Sequence, residues 1–206
     1  MQAQCQAFNI DLKWLPCLAE MMFQSLNTRL LASEPDLCLA ILEPEHCLIE
    51  MEFYFPLSPI QASGLQAIFT THSQYDLNGL QFNQVEGMLK GFVDLIFAFK
   101  GKYYVLDYKS NHLGHQRADY HKDQLTPVMI HSQYILQYHI YTVALYRYLQ
   151  RRLPDFDYES HMGGSLYLFL RGLHTDFGAE YGVFYDLPSE ALISALSDYF
   201  TQELER

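Results

Sequence analysis

The chain has 206 residues, half of them apolar or aromatic, which is enough to bury one sizeable core and suits a single domain. Its formal net charge of −11 argues against a protein that grips nucleic acid by its own field, though not against a site to which a partner delivers DNA. No apolar run reaches membrane-spanning length, the N-terminus lacks a signal-peptide pattern, and Cys5, Cys17, Cys38 and Cys47 form no CxxC pair, so a soluble intracellular protein in a reduced compartment, without a zinc site, is expected.

In chain order, "CLAEMMFQSLNTRLLA" at 17–32 has the apolar spacing of a helix, broken by Glu34-Pro35-Asp36. "HCLIEMEFYFP" at 46–56 alternates as a strand, with Leu48, Glu50, Glu52 and Tyr54 on one side and Ile49, Met51, Phe53 and Phe55 on the other. A short helix follows at 59–71, then a turn around Asp76–Gly79. Strands at 88–99 and 102–109 flank Lys100-Gly101, which fits a tight hairpin because glycine accepts the positive φ such turns need. Residues 110–118 read as a loop, and 119–131 as a helix of doubtful continuity because of Pro127. The clearest helix is 132–153, whose Ile135, Tyr138, Tyr141, Thr142, Leu145 and Leu149 keep its period and whose basic residues cluster at its end. A strand at 164–171 and a helix at about 189–204, opened by Pro188-Ser189, complete the chain. This order predicts an α/β protein with a mixed sheet flanked by helices.

The charges in "GFVDLIFAFKGKYYVLDYKSN", residues 91–111, need a reason. Asp94 interrupts one apolar run, and Asp107 and Lys109 close the next. A turn at 100–101 sets residue 94 opposite 107, and the period of a strand turns 107 and 109 to one side. Two carboxylates then lie side by side with an ammonium next to them. At about 4 Å they repel by roughly 4 kcal/mol at an effective dielectric near 20. The lysine relieves part of that, and a divalent cation such as magnesium, which prefers hard oxygen ligands, relieves more. A solvated hairpin face with an Asp–Lys ion pair accounts for the same spacing equally well.

The pattern D-x12-D-x-K on adjacent strands resembles the metal-dependent PD-(D/E)XK nucleases. With "LDYKSNHLG", "LQYHIYTVALYRYL" and "GGSLYLFLRG", the resemblance narrows to the C-terminal nuclease domain of RecB, the exodeoxyribonuclease V beta chain, over about residues 50–172. It implies a restriction-endonuclease-like core and a magnesium-dependent DNA exonuclease and endonuclease activity in bacterial double-strand break repair and recombination, in the cytoplasm. Manganese or calcium would substitute in binding. Implied partners are DNA, the RecC and RecD subunits and the helicase part of RecB. RecA is a further implied partner, and a module that docks RecA with its nuclease latent is the alternative to a working enzyme.

The resemblance makes Asp94 and Asp107 metal ligands, adds the backbone carbonyl of Tyr108, and makes Lys109 the lysine that orients the attacking water or stabilises charge on the phosphate. Gln137 and Tyr141 match its QxxxY motif, which approaches the DNA phosphate. Four residues apart on a helix, they share a face, although a core tyrosine beside a solvated glutamine is the plainer reading of those two alone. Glu52 is a candidate for a second metal, set against a half-exposed strand glutamate. His72, His112, His115, His121 and His161 have no spacing that demands a metal. The family's additional ligand histidine would fall before Met1, so the chain is expected to begin inside the nuclease domain, without the helicase motifs. No cysteine follows Cys47, so the cluster of the related iron–sulfur nucleases is not expected.

Overall fold

The computed structural model describes residues 1–77 and 79–201. Its helices are α1 (Gln2–Ala7), α2 (Leu15–Asn27), α3 (Ala62–His72), α4 (Lys122–His131), α5 (Tyr134–Arg152), α6 (Tyr158–His161) and α7 (Glu190–Thr201). Its strands are β1 (Cys47–Ile60), β2 (Val85–Phe99), β3 (Lys102–Lys109), β4 (Met162–Phe169) and β5 (Val183–Asp186), and they form one sheet in the order β1-β2-β3-β4-β5. β1, β2 and β3 pair antiparallel. β4 starts where β3 starts, with Lys102 Nζ donating to Met162 O at 3.4 Å, and ends where β3 ends, with Leu170 N donating to Lys109 O at 3.0 Å. The sheet is therefore mixed, and the architecture is α/β with a helix-flanked sheet, as in restriction-endonuclease-like cores.

The hairpin forms as its sequence predicts. Lys100 and Gly101 both have positive φ, 49° and 79°, which is the two-residue turn that matches the twist of the flanking strands. The ladder above it runs from Phe99↔Lys102 to Leu95↔Leu106. β1 continues through Pro56 and Pro59 to Ile60, further than its prolines suggest. It is the outer strand of the sheet, where a missing N–H on the open side costs no ladder bond.

Three local readings are corrected. The first long helix stops at Asn27 rather than at 32: Thr28 turns extended, and Leu30 N donates instead to Leu37 O at 2.9 Å. Pro127 sits inside α4 without ending it, and the break falls at Gln133, whose φ of 58° is left-handed and delays α5 to Tyr134. β5 and the short helices α1 and α6 carry too little periodicity to be anticipated. The last helix is described to Thr201, and the remainder of its expected span lies outside the described residues, as does position 78 within the expected turn at 76–79.

The chain divides into two compact units. One comprises Met1–Glu43, Tyr108–Leu125 and Tyr167–Phe184, with Leu30, Leu37, Tyr120, Leu125, Tyr167 and Phe169 at its centre. The other comprises Pro44–Asp107, Thr126–Leu166 and Tyr185–Arg206. There α5 buries Ile135, Tyr138, Tyr141, Thr142, Leu145 and Leu149, and Phe55 of β1 stacks on Phe200 of α7. Gly91 of β2 is required in this unit: a Cβ there would meet the Phe53 ring at 2.6 Å. No helix among the described residues is long and apolar enough to cross a membrane.

Candidate functional site

The hairpin register predicted from the turn is the register observed. Leu95↔Leu106 is followed, one step along both strands, by Asp94 and Asp107. Asp107 is 4% exposed, whereas Asp94 is half-buried. An ionised carboxylate as covered as Asp107 is costly to desolvate and demands compensating partners.

α5 supplies the next layer in the same unit. Gln137 Nε2 donates to Tyr141 Oη at 2.8 Å, one helical turn away. The Tyr141 ring is held edge-on by Phe53 of β1, with centroids 5.7 Å apart. Burial pushes the Tyr141 hydroxyl above the ordinary phenol range, the Asp107 charge pushes the same way, the Gln137 bond opposes them, and Asp94 adds a smaller upward push. The phenol therefore keeps its proton at neutral pH. Having accepted a bond from Gln137, it has that proton to donate elsewhere, in the field of both carboxylates. Asp94, Asp107, Gln137 and Tyr141, which the sequence places far apart, are thus brought into one electrostatic neighbourhood.

β3 continues from Asp107 into the other unit with Tyr108 and Lys109. Lys109 is buried, on the same side of the strand as Asp107, and the intervening Tyr108 side chain is exposed. Lys109 Nζ lies 4.8 Å from the centroid of the Tyr167 ring, so its charge rests on an aromatic face. A buried lysine on a strand is rare unless its ammonium is used.

The remaining candidates lie elsewhere. Glu52 is exposed and paired with Lys90 on β2, so it behaves as a surface strand glutamate. His121 is engaged by Asp123 at 3.3 Å and Glu180 at 3.7 Å, and His161 by the Asp157 carbonyl at 2.8 Å. His72 is exposed at the end of α3. Among the described residues no group of three or more His, Cys, Asp or Glu is assembled as a ready-made metal cage. What the donor set does offer is a pair of hard carboxylates facing each other across the hairpin, one of them buried, which fits magnesium in kind.

One residue was passed over in the sequence. Glu50 falls between Ile49↔Leu95 and Met51↔Val93, and so occupies the register position across from Asp94. Its φ of 50° is left-handed, an uncommon conformation for a residue with a long side chain. Alternation grouped Glu50 with Glu52 and gave no reason to prefer it. The distinguishing signal, its place across from Asp94, needs the register of a strand some forty residues away.

No family model matches the chain. It is 40% identical over 196 residues to the RecBCD enzyme subunit RecB of Haemophilus influenzae, a match covering 95% of this chain and 16% of that protein. It is 40% identical over 191 residues to RecB of Escherichia coli, covering 91% and 16%. To RecB of Mycobacterium tuberculosis it is 43% identical over 126 residues, covering 58% and 12%. The chain thus spans 16% of the length of the first two relatives.

Proposed function

The chain is a relative of RecB, similar to one segment of that protein along nearly its whole length, and from that premise we propose that it is a magnesium-dependent DNA nuclease domain that hydrolyses phosphodiester bonds in DNA repair and recombination. The observation that carries the reading is the convergence on Tyr141: its hydroxyl accepts from Gln137 and feels the charges of both Asp107 and Asp94. A solvated ion pair on a hairpin face needs neither a buried aspartate nor an ordered glutamine–tyrosine pair beside it.

In this reading Asp94, Asp107 and the Tyr108 carbonyl would hold the cation, and Glu50, across the ladder from Asp94, would act on it only through water. When bound, the cation supplies an acidified water and neutralises charge on the phosphate. Lys109, following Asp107 on the same strand face, carries a fixed positive charge to the attacking water and to the oxygens that gain charge in the transition state. The Tyr141 hydroxyl would donate a hydrogen bond, keeping its proton, to a non-bridging phosphate oxygen, with Gln137 fixing the direction of that hydroxyl. The relatives are subunits of an enzyme named for three chains, RecBCD, and the acidic net charge of this chain suits a site whose DNA is delivered by such partners rather than captured by its own field.

The test is cleavage of a labelled single-stranded oligonucleotide by the 206-residue chain and by the chain joined to the upstream part of its relatives, with magnesium and with chelator. Magnesium-dependent cleavage that disappears in Asp107→Asn supports the reading. Cleavage indifferent to Asp107, or its absence in both proteins at millimolar magnesium, would overturn it.

A further inference from the structure

The unit that contains Lys109 also contains a cavity of about 380 Å³, lined among others by His112, His115, Arg117, Arg171 and His174. In a chain with 13 lysines and arginines against 24 acids, a cavity wall with two guanidiniums, three imidazoles and no carboxylate is selective for an anion. Two neighbouring acids are engaged: Asp119 accepts from Gln116 N at 2.8 Å, and Asp176 lies 3.6 Å from His174. Neither arginine is paired with a carboxylate among the described residues. The Arg117 Cζ lies over the Phe177 ring, 3.8 Å from its centroid, and Arg171 Nε donates to Ser110 O at 3.1 Å. Both planar forks are thus oriented and keep further N–H groups to donate, which suits a phosphate.

The cavity is also built rather than incidental. Tyr120 is the post of its loop: its hydroxyl accepts from Leu113 N at 3.1 Å and donates to Asn111 O at 3.4 Å. Gly172 lets that post approach, since a Cβ there would meet Tyr120 Cβ at 2.5 Å. One wall follows the end of β3 and the other the end of β4. One is the loop that leaves Lys109 through Ser110, and the other is the segment whose Leu170 N donates to Lys109 O and whose Arg171 donates to Ser110 O.

From this we propose that the cavity between the loop at 111–117 and the segment at 171–174 is a subsite for a phosphodiester of the bound DNA strand other than the one that is cut, held by Arg117 and Arg171. The identity of the ligand rests on the nuclease reading, while the anion selectivity does not. The cavity grips the strand where it passes Lys109, and so supplies locally the positive charge that the chain lacks as a whole.

The experiment measures the affinity of the 206-residue chain for a short fluorescein-labelled oligothymidylate, by anisotropy in chelator, over a salt series. Wild type is compared with Arg117→Gln, Arg171→Gln, the double variant and Arg117→Lys, each first checked for an unchanged melting transition. Each glutamine variant is expected to weaken binding roughly tenfold, the scale of one charge-assisted hydrogen bond. Each should also reduce the magnitude of the log–log salt slope by about 0.7, the value for one phosphate contact on a single strand. Arg117→Lys, which keeps the charge, should retain most of the salt slope. An unchanged affinity in the double variant would overturn the subsite, as would arginine-dependent binding of inorganic phosphate with no effect on the oligonucleotide. Cleavage measured in parallel separates the two readings. Cleavage with arginine-independent binding sinks the subsite alone, and arginine-dependent binding without cleavage sinks the nuclease alone.

Discussion

Gln137 donates its side-chain amide to the phenolic oxygen of Tyr141 at 2.8 Å, one turn along α5, and the charges of the hairpin carboxylates Asp107 and Asp94 act on that same phenol. Without the resemblance, Tyr141 would be read as core, and its ring is indeed packed against Phe53. The two roles reside in different atoms of one side chain and can be separated. Tyr141→Phe keeps the ring and should lower cleavage roughly tenfold, the worth of one hydrogen bond near charge, while costing no more than about 1 kcal/mol of stability. Tyr141→Ala should cost about 3–5 kcal/mol by leaving a cavity beside Phe53. Full cleavage in Tyr141→Phe together with unfolding in Tyr141→Ala would leave Tyr141 a packing residue and nothing more.

In the proposed mechanism Lys109 acts on the transition state rather than holding the metal. Lys109→Met keeps an aliphatic stem against Tyr167 and removes the charge. Cleavage should fall roughly 10²–10³-fold, the scale for losing one preorganised charge donor. The magnesium-induced rise in melting temperature should survive. A cleavage rate within a few-fold of wild type would remove Lys109 from the chemistry.

Asp94 and Asp107 face each other one step beyond Leu95↔Leu106, and two carboxylates so placed should repel without a metal. Asp94→Asn deletes one charge at nearly constant volume, so in chelator the variant should be at least as stable as wild type by thermal melting. In wild type, magnesium or manganese at about 100 times its Kd should stabilise by roughly 2.7 kcal/mol. In Asp94→Asn that shift should largely vanish. Equal shifts in the two proteins would return the hairpin face to an ordinary ion pair.

Glu50 and Glu52 are distinguished by their neighbours rather than by their chemistry. Glu50 lies across the ladder from Asp94, and Glu52 pairs with Lys90 in the open. Glu50→Gln should weaken the metal-induced melting shift. Glu52→Gln should leave that shift intact and cost only the worth of an exposed ion pair, about 0.2–1 kcal/mol. The reverse pattern in a melting experiment would restore Glu52 as the metal-linked glutamate.

His139 predicts an acid sensitivity unrelated to catalysis. It is enclosed between Phe69 and Tyr138, its Nδ1 donates to Ile135 O at 2.7 Å, and its Nε2 has no hydrogen-bond partner. Burial pulls its pKa from 6.5 down to about 4, against a smaller upward push from the Ile135 bond. Because the folded pKa lies below the unfolded one, the stability linked to neutral His139 is complete above pH 6.5 and is lost as pH falls through about 4. Denaturant titrations should show a fall of roughly 3 kcal/mol across that window from this group. His139→Gln, which does not titrate, should flatten the curve there. An unchanged pH profile in the variant would assign the acid sensitivity to other groups.

The features legible in the sequence are those whose physical cause is local. Lys100-Gly101 set the hairpin turn, and the turn set the register that carries Asp94 to Asp107, because a two-residue loop leaves no freedom to slip. The period of α5 put Gln137 and Tyr141 on one face for the same kind of reason. Helix ends and outer strands were less legible. α2 stops at Asn27 because Leu30 is captured by Leu37, and β1 runs through two prolines because, among the described residues, no strand pairs on its far side.

What only the tertiary structure decided are the relationships between distant segments. The burial of Asp107 and Lys109 depends on what covers β3, and the Phe53–Tyr141 contact joins residues 88 positions apart. The place of Glu50 across from Asp94 and the joining of Arg171 to Ser110, beyond the end of β3, are set by pairing and packing across the chain. Periodicity and turn chemistry act over a few residues, whereas these contacts form because burying apolar surface brings remote strands and helices together, and side chains that never met in sequence then share one environment.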